Sequence, residues 1–182
     1  HSHHAFYGRE FDLKNLRAAY RQTLLDGTAT AYVLCGEQGV GKSTLVEEFL
    51  RGLDPRDVRV VRGVVSPFDQ DVPLGGMGAL LADLLRLGSP DDLRQVRATL
   101  ETRVLALFPD EPEAELELLT HSIGGVFGLR FPGSTFDELS GEYRRKRISM
   151  SLRKMLRRFA EKKPYVIAIE DAQYIDQMTL EI

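Results

Sequence analysis

The stretch GEQGVGKST, residues 36 to 44, constrains this chain more than any other part of it. It runs Gly, four residues, then Gly-Lys-Ser, with Gly36, Gly41, Lys42 and Ser43 where a phosphate-binding loop requires them. Such a loop works between a strand and a helix. Its glycines let the backbone turn so that successive N–H groups face phosphate oxygens. The first turn of the following helix adds unpaired N–H groups and the positive end of a dipole. The flanks have this character: TATAYVLC (28–35) is β-branched and aromatic and reads as a short buried strand. LVEEFLRGL sets Leu45, Val46, Phe49, Leu50 and Leu53 at helical spacing, with Gly52 near the stop. The expected phosphate cradle is Gly36, Glu37, Gln38, Gly39, Val40, Gly41 and Thr44; Lys42 would reach the β- and γ-phosphates and Ser43 would ligate Mg²⁺.

The remaining pattern predicts an α/β fold. FYGREFDLKNLRAAYRQTLLDG is an aromatic turn followed by a helix, with an apolar stripe of Phe11, Leu13, Leu16, Tyr20, Leu24 and Leu25 and a stop at Gly27. DVRVVRGVVS (57–66) reads as a second strand, PFDQDVPLGGMG as a turn-rich connection and ALLADLLRL as a short helix. Helices are expected over 89–107 and 111–121. The longest is expected over 136–161, with Ile148, Leu152, Met155, Leu156 and Phe159 on its buried face. HSIGGVFGLRFPGS (121–134) carries enough glycine to predict a surface loop. After Pro164, YVIAIEDAQYID returns to a buried strand. Strands alternating with helices imply a parallel core, and 67–162 reads as a helical lobe beside it.

Composition removes several function classes. A net charge of −3 gives no global pull toward nucleic acid, and no apolar run approaches the length that crosses a bilayer. No secretory signal is visible at the start, and the single cysteine, Cys35, forbids an internal disulfide, which fits a cytoplasmic setting. Cys35, at the end of the first expected strand, reads as a small buried filler. The histidines of HSHH read as a chain end or tag remnant, not a metal site. His121 has no metal-ligand companion at useful spacing.

VIAIED (166–171) is the second chemical signal: four apolar residues deliver two carboxylates to the C-terminal edge of a strand buried on both faces, where ligands of open α/β sheets bind. One acid can hold Mg²⁺, directly or through water, while the other orients an attacking water. Glu170 is the expected metal-side acid. Asp171, also close to the metal, is the candidate base, with Lys42 as its catalytic companion.

FYGRE, VLCGEQGVGKSTLVEEF and RRFAEKKPYVIAIEDAQYIDQMTLE together resemble the AAA-type ATPase module of the STAND class, in the N-terminal part of its nucleotide-binding domain. That class includes MalT/LuxR-type transcription regulators and multidomain bacterial cyclases and kinases. The resemblance implies a P-loop NTPase fold of the AAA/ASCE type, with ATP or ADP and Mg²⁺ as cofactors. It implies that the opening segment, Phe6, Tyr7, Gly8, Arg9 and Glu10, lies against base and ribose, with Tyr7 and Arg9 as contacts. It also implies that Gln173 senses the γ-phosphate, while Asp176 reads as a cap for the helix beginning QMTLEI. Glutamate at 170, where many relatives carry aspartate, is a longer arm toward the metal. ATP over GTP rests on the likeness, since no Asn-Lys-x-Asp stretch is present.

In that class a further strand lies between the phosphate-loop strand and the second-motif strand, and this chain ends at Ile182 without it. A gap between buried parallel strands leaves backbone groups unpaired. The expectation is a domain incomplete on its C-terminal side, part of a larger protein; the alternative is direct pairing of the two strands. The expected organisation is 1–66 as opening helix and phosphate-loop core, 67–162 as helical lobe and 163–182 as second-motif strand, all one nucleotide-binding domain. The expected function is an ATP-dependent signalling switch, slow as an ATPase in the full-length protein and almost inert alone, its output carried by protein partners or effector domains outside this chain. Two alternatives stay open: a DNA-handling ATPase of the initiator or loader type, and a non-hydrolysing module stabilised by its nucleotide. The basic run at 144–163 favours the first only if it is free. The acidic stretch 110–117 offers it an internal partner, so nucleic acid is expected only through other domains, and no membrane contact is expected.

Overall fold

Helix α1 (Glu10–Asp26) stops where the sequence says it must. Gly27 takes a left-handed φ of 63° and returns its N–H to Thr23 O at 3.0 Å, which closes the last turn. The computed structural model describes residues 9–66, 74–87 and 92–180. It divides after Val60 into two compact units.

In the first unit α1 packs on α2 (Lys42–Arg51). Leu13 and Leu16 of α1 and Leu45, Phe49 and Leu50 of α2 are buried, and Tyr20 meets Phe49 edge-on at 6.0 Å between centroids. The expected stripe of α1 is narrower than its sequence suggests. Phe11 and Leu25 are exposed because they lie off the face that Leu13, Leu16 and Tyr20 define, and Leu24 on the last turn is largely open as well.

Residues 28–35 are not the strand their composition predicts. A strand exists through its ladder hydrogen bonds, and among the described residues this segment is paired with no other. Tyr32 and Val33 consequently stand exposed, Val33 at 75%. Cys35 is exposed too, which corrects the reading of it as a buried filler.

Strand β1 (Arg59–Val64) carries the chain into the second unit, which continues with α3 (Gly75–Leu85), α4 (Leu93–Leu107), α5 (Glu113–Val126), α6 (Gly141–Lys162) and β2 (Tyr165–Glu170). A 3-10 turn (Ala172–Tyr174) and α7 (Gln177–Leu180) follow. The described strands form one two-stranded sheet, β1 beside β2. Val65 N–H donates to Glu170 O at 3.1 Å, so the C-terminal ends of the strands meet and the pair is parallel. β2 is half-buried along its length instead of buried on both faces, because Ile167 and Ile169 alone turn onto the core and β1 is its one described neighbour.

That core is helical. Leu81 of α3, Leu100 of α4, Leu119 and Ile123 of α5, and Leu152 and Met155 of α6 are fully enclosed, and Val61 of β1 joins them. Asp92 caps α4 by accepting from Arg94 N and Gln95 N, both at 3.1 Å. α3 starts before ALLADLLRL because Leu74 and Met77 extend the spacing of Leu80, Leu81 and Leu84 onto the same core. Most of PFDQDVPLGGMG, and the start of the helix expected at 89, lie outside the described residues.

The glycine-rich tract after His121 is a correction. α5 runs through it to Val126. Gly124 and Gly125 are there because aromatic rings occupy the space of their side chains: a Cβ on Gly124 would stand 2.6 Å from Phe131, and one on Gly125 would stand 3.1 Å from Phe136. The turns from 127 to 140 fold those rings back onto α5, which also delays α6 to Gly141.

Candidate functional site

The glycine-rich loop 36–44 lies in the first unit. Gly39 and Gly41 both take φ near 83°, a conformation that side chains with a Cβ rarely adopt, and each faces open space. Gly41 is the N-cap of α2. The Gly41 N-cap has no side chain to cap this helix and no acid occupies its first turn, so the helix itself places no negative charge at its positive end. Lys42 Nζ donates to Gly36 O at 2.7 Å and to Glu37 O at 2.8 Å, so the ammonium is folded against the start of the loop. Glu37, Gln38, Gly39, Val40, Ser43 and Thr44 are exposed. These features fit a phosphate ligand: backbone donors, a dipole end and a lysine are grouped within one short turn.

Arg9 stands at the N-cap of α1, 3.9 Å from Asp12, while Phe6, Tyr7 and Gly8 lie outside the described residues.

The acidic pair lies in the second unit. Glu170 ends β2 and is exposed. Asp171 follows with a left-handed φ of 56° and opens the 3-10 turn, its carbonyl accepting from Tyr174 N at 3.0 Å. The side chain of Gln173 folds back, and its Nε2 donates to Asp171 Oδ1 at 3.4 Å. Two of the residues named from sequence are therefore in contact here. Among the described residues there is no group of three His, Cys, Asp or Glu side chains suited to a metal. Mg²⁺ would instead be completed by phosphate oxygens and water, its usual habit.

Asp176 does more than its expected cap. It is 5% exposed, accepts from Thr179 N at 3.1 Å and from the Thr179 hydroxyl, and also accepts from Leu74 N at 3.1 Å. Sequence reasoning missed Leu74; its partner is 102 residues away and no local pattern marks it.

The basic run of α6 is largely engaged within its own unit. Arg147 donates to Glu115 at 2.8 Å, and Lys154 pairs with Glu111 at 2.7 Å and Glu115 at 3.3 Å. Arg144 donates to Asp137 O and Arg158 to Leu107 O. Burial raises the Glu115 carboxyl, but Arg147 and Lys154 outweigh it and hold the group below its ordinary range. The acidic stretch 110–117 is thus the internal partner it was expected to be. Tyr165, at the start of β2, donates to Leu156 O at 2.8 Å, and burial pushes its hydroxyl up to about 12.

No described helix is long and apolar enough to cross a membrane. A comparison with protein families matches residues 5–182 to the model described as the AAA ATPase domain. No curated protein and no solved structure gives a significant match.

Proposed function

The chain belongs to the AAA ATPase domain family, and from that premise we propose that it is an ATP-binding module acting as a nucleotide-dependent switch in a larger signalling protein of the STAND type. The observation that carries the reading is the phosphate loop: Lys42 held on the Gly36 and Glu37 carbonyls, beside an uncapped helix N-terminus reached through left-handed glycines. On this reading the loop N–H groups and Lys42 bind the phosphates, and Ser43 with Glu170 and Asp171 holds Mg²⁺. The metal would supply charge neutralisation on the β- and γ-phosphates. Asp171 orients the attacking water and accepts its proton. Gln173, already on the Asp171 carboxylate, reports whether a γ-phosphate is present. Tyr7 and Arg9 would contact base and ribose. A switch of this kind works through order and release of the segments that touch the γ-phosphate.

The test is a thermal melt with and without Mg-ATP, with Lys42→Ala as control. A ligand at one hundred times its dissociation constant adds about 2.7 kcal/mol to the folded state. The expected result is a raised midpoint in the native chain and none in Lys42→Ala. No shift, or an equal shift in the variant, would remove the basis of the proposal. An equal shift with Mg-GTP would remove the preference for adenine.

A further inference from the structure

The chain that follows β1 is fastened at two described points, Val65 and Leu74, to the end of β2 and the segment after it. The first fastening is Val65 N–H to Glu170 O at 3.1 Å, where the strands end. The second is Leu74 N–H to Asp176 Oδ1, also at 3.1 Å. Between Glu170 and Asp176 lies the turn that carries Asp171 and Gln173, closed by Tyr174 N to Asp171 O and Ile175 N to Ala172 O at 3.0 and 3.1 Å.

A carboxylate this deeply buried must be supplied with donors. Capping alone would need only the N–H and hydroxyl of Thr179, three residues on. The third donor comes from Leu74, a buried leucine at φ 63°, which L residues with a branched side chain avoid unless their surroundings hold them. The far-away bond therefore joins two segments, each with its own unusual backbone: Asp171 at φ 56° on one side and Leu74 on the other.

We propose that Asp176 is a positioning residue, which clamps the turn bearing Asp171 and Gln173 to the start of α3 and so transmits the state of that turn to the helical core. This rests on the reading of Asp171 and Gln173 given above. On this proposal a displacement of the turn is passed through the Leu74 N–H to Asp176 bond to α3, whose Leu80, Leu81 and Leu84 sit in the core. Asp176 touches no nucleotide in this account.

Amide hydrogen exchange on the whole chain tests it, with Asp176→Ala, Asp176→Asn and Thr179→Val. In Asp176→Ala, exchange at Leu74, Tyr174 and Ile175 should rise together by about tenfold or more, while Leu100 and Leu152 keep their protection. Thr179→Val, which weakens only the cap, should leave the three amides within about twofold of native. If Leu74 accelerates alone, or Thr179→Val reproduces the whole effect, Asp176 is a helix cap and the proposal fails. Should Asp176→Ala also release Leu100 and Leu152, Asp176→Asn decides. It keeps an acceptor oxygen without the charge, and the three amides must still accelerate together, by less. Mg-ATP adds the functional readout: it should slow exchange at Leu74 in the native chain and no longer in Asp176→Asn, although the Lys42-dependent thermal shift survives. A thermal shift with unaltered Leu74 exchange overturns the coupling. Absence of any thermal shift overturns the nucleotide reading instead, and the ligand-free comparison of variants still decides the clamp.

Discussion

A methyl group at Gly124 would stand 2.6 Å from Phe131 Cε2, 2.8 Å from its Cζ and 3.3 Å from Leu129 Cδ1. The ring has little freedom to give way, since His121 stacks on it at 3.9 Å and the Arg97 guanidinium lies 4.4 Å from its centroid. Forcing a methyl into a filled core costs about 1–3 kcal/mol. The same change removes a helix-interior glycine, which contributes about 1 kcal/mol in the other direction. Gly78 in α3 supplies the control, because the nearest atom to its Cβ position is Val126 Cγ1 at 4.0 Å and only the favourable term applies. Gly78→Ala should therefore stabilise by about 1 kcal/mol, and Gly124→Ala should be less stable than Gly78→Ala by about 1–3 kcal/mol. Urea unfolding followed by far-UV circular dichroism reads the difference, provided the slopes agree. Combining Gly124→Ala with Phe131→Leu should recover part of the loss, since the smaller side chain vacates the contested space. If Gly124→Ala stabilises as much as Gly78→Ala, the ring does not occupy that space and the explanation for the glycine tract is wrong.

At Gly41 the surroundings are open, so Gly41→Ala carries backbone strain alone, about 1–2 kcal/mol, and should also diminish the Mg-ATP shift; a full shift and an unchanged melt would contradict the left-handed turn. Burial, aided by Arg97, lowers the His121 pKa below 6.5 against the opposing pull of Glu117, Asp137 and Glu101. The neutral ring is the folded form, so its contribution is full above that ordinary value and is lost as pH falls through the lowered one. Urea midpoints measured from neutral to mildly acidic pH should fall, and His121→Phe, which retains the stack without a titrating group, should flatten that part of the profile. Glu115 is depressed below 4.5 by Arg147 and Lys154 despite its burial, so its stabilisation holds above that value and disappears as pH drops through the depressed one. Glu115→Gln should remove this acid-limb dependence and lower the midpoint at neutral pH.

The parts of the fold written in short-range pattern were legible from sequence. Gly27 stops α1, Asp92 caps α4, and the buried face of α6 includes Ile148, Leu152 and Met155 as its spacing requires. The sharp turn through Gly39 and Gly41 and the helix beginning at Lys42 were legible for the same reason, since glycines at fixed offsets are a local requirement of such a turn. What failed depended on distant residues. TATAYVLC has strand composition, but a strand needs a neighbour, and composition does not provide one. The glycines after His121 have loop composition, and the reason they sit in a helix, the Phe131 and Phe136 rings against them, lies several residues away. The bond between Leu74 and Asp176 joins residues that nothing in the intervening sequence associates.

The parallel pairing of β1 with β2 also fixes an order of events in time. The Val65–Glu170 contact closes a loop of roughly a hundred residues, an entropic cost that must be met before the bond returns anything. On a ribosome, α3 to α6 have all been made before β2 exists, and their contacts are mostly between consecutive helices. The helical core should therefore assemble first and hold β1 with Val61 already seated, waiting for its neighbour. Pulse-labelled exchange during refolding would then find Leu119 and Leu152 protected before Val65, with the segment that bears Glu170 and Asp171 joining β1 only after the helices have packed.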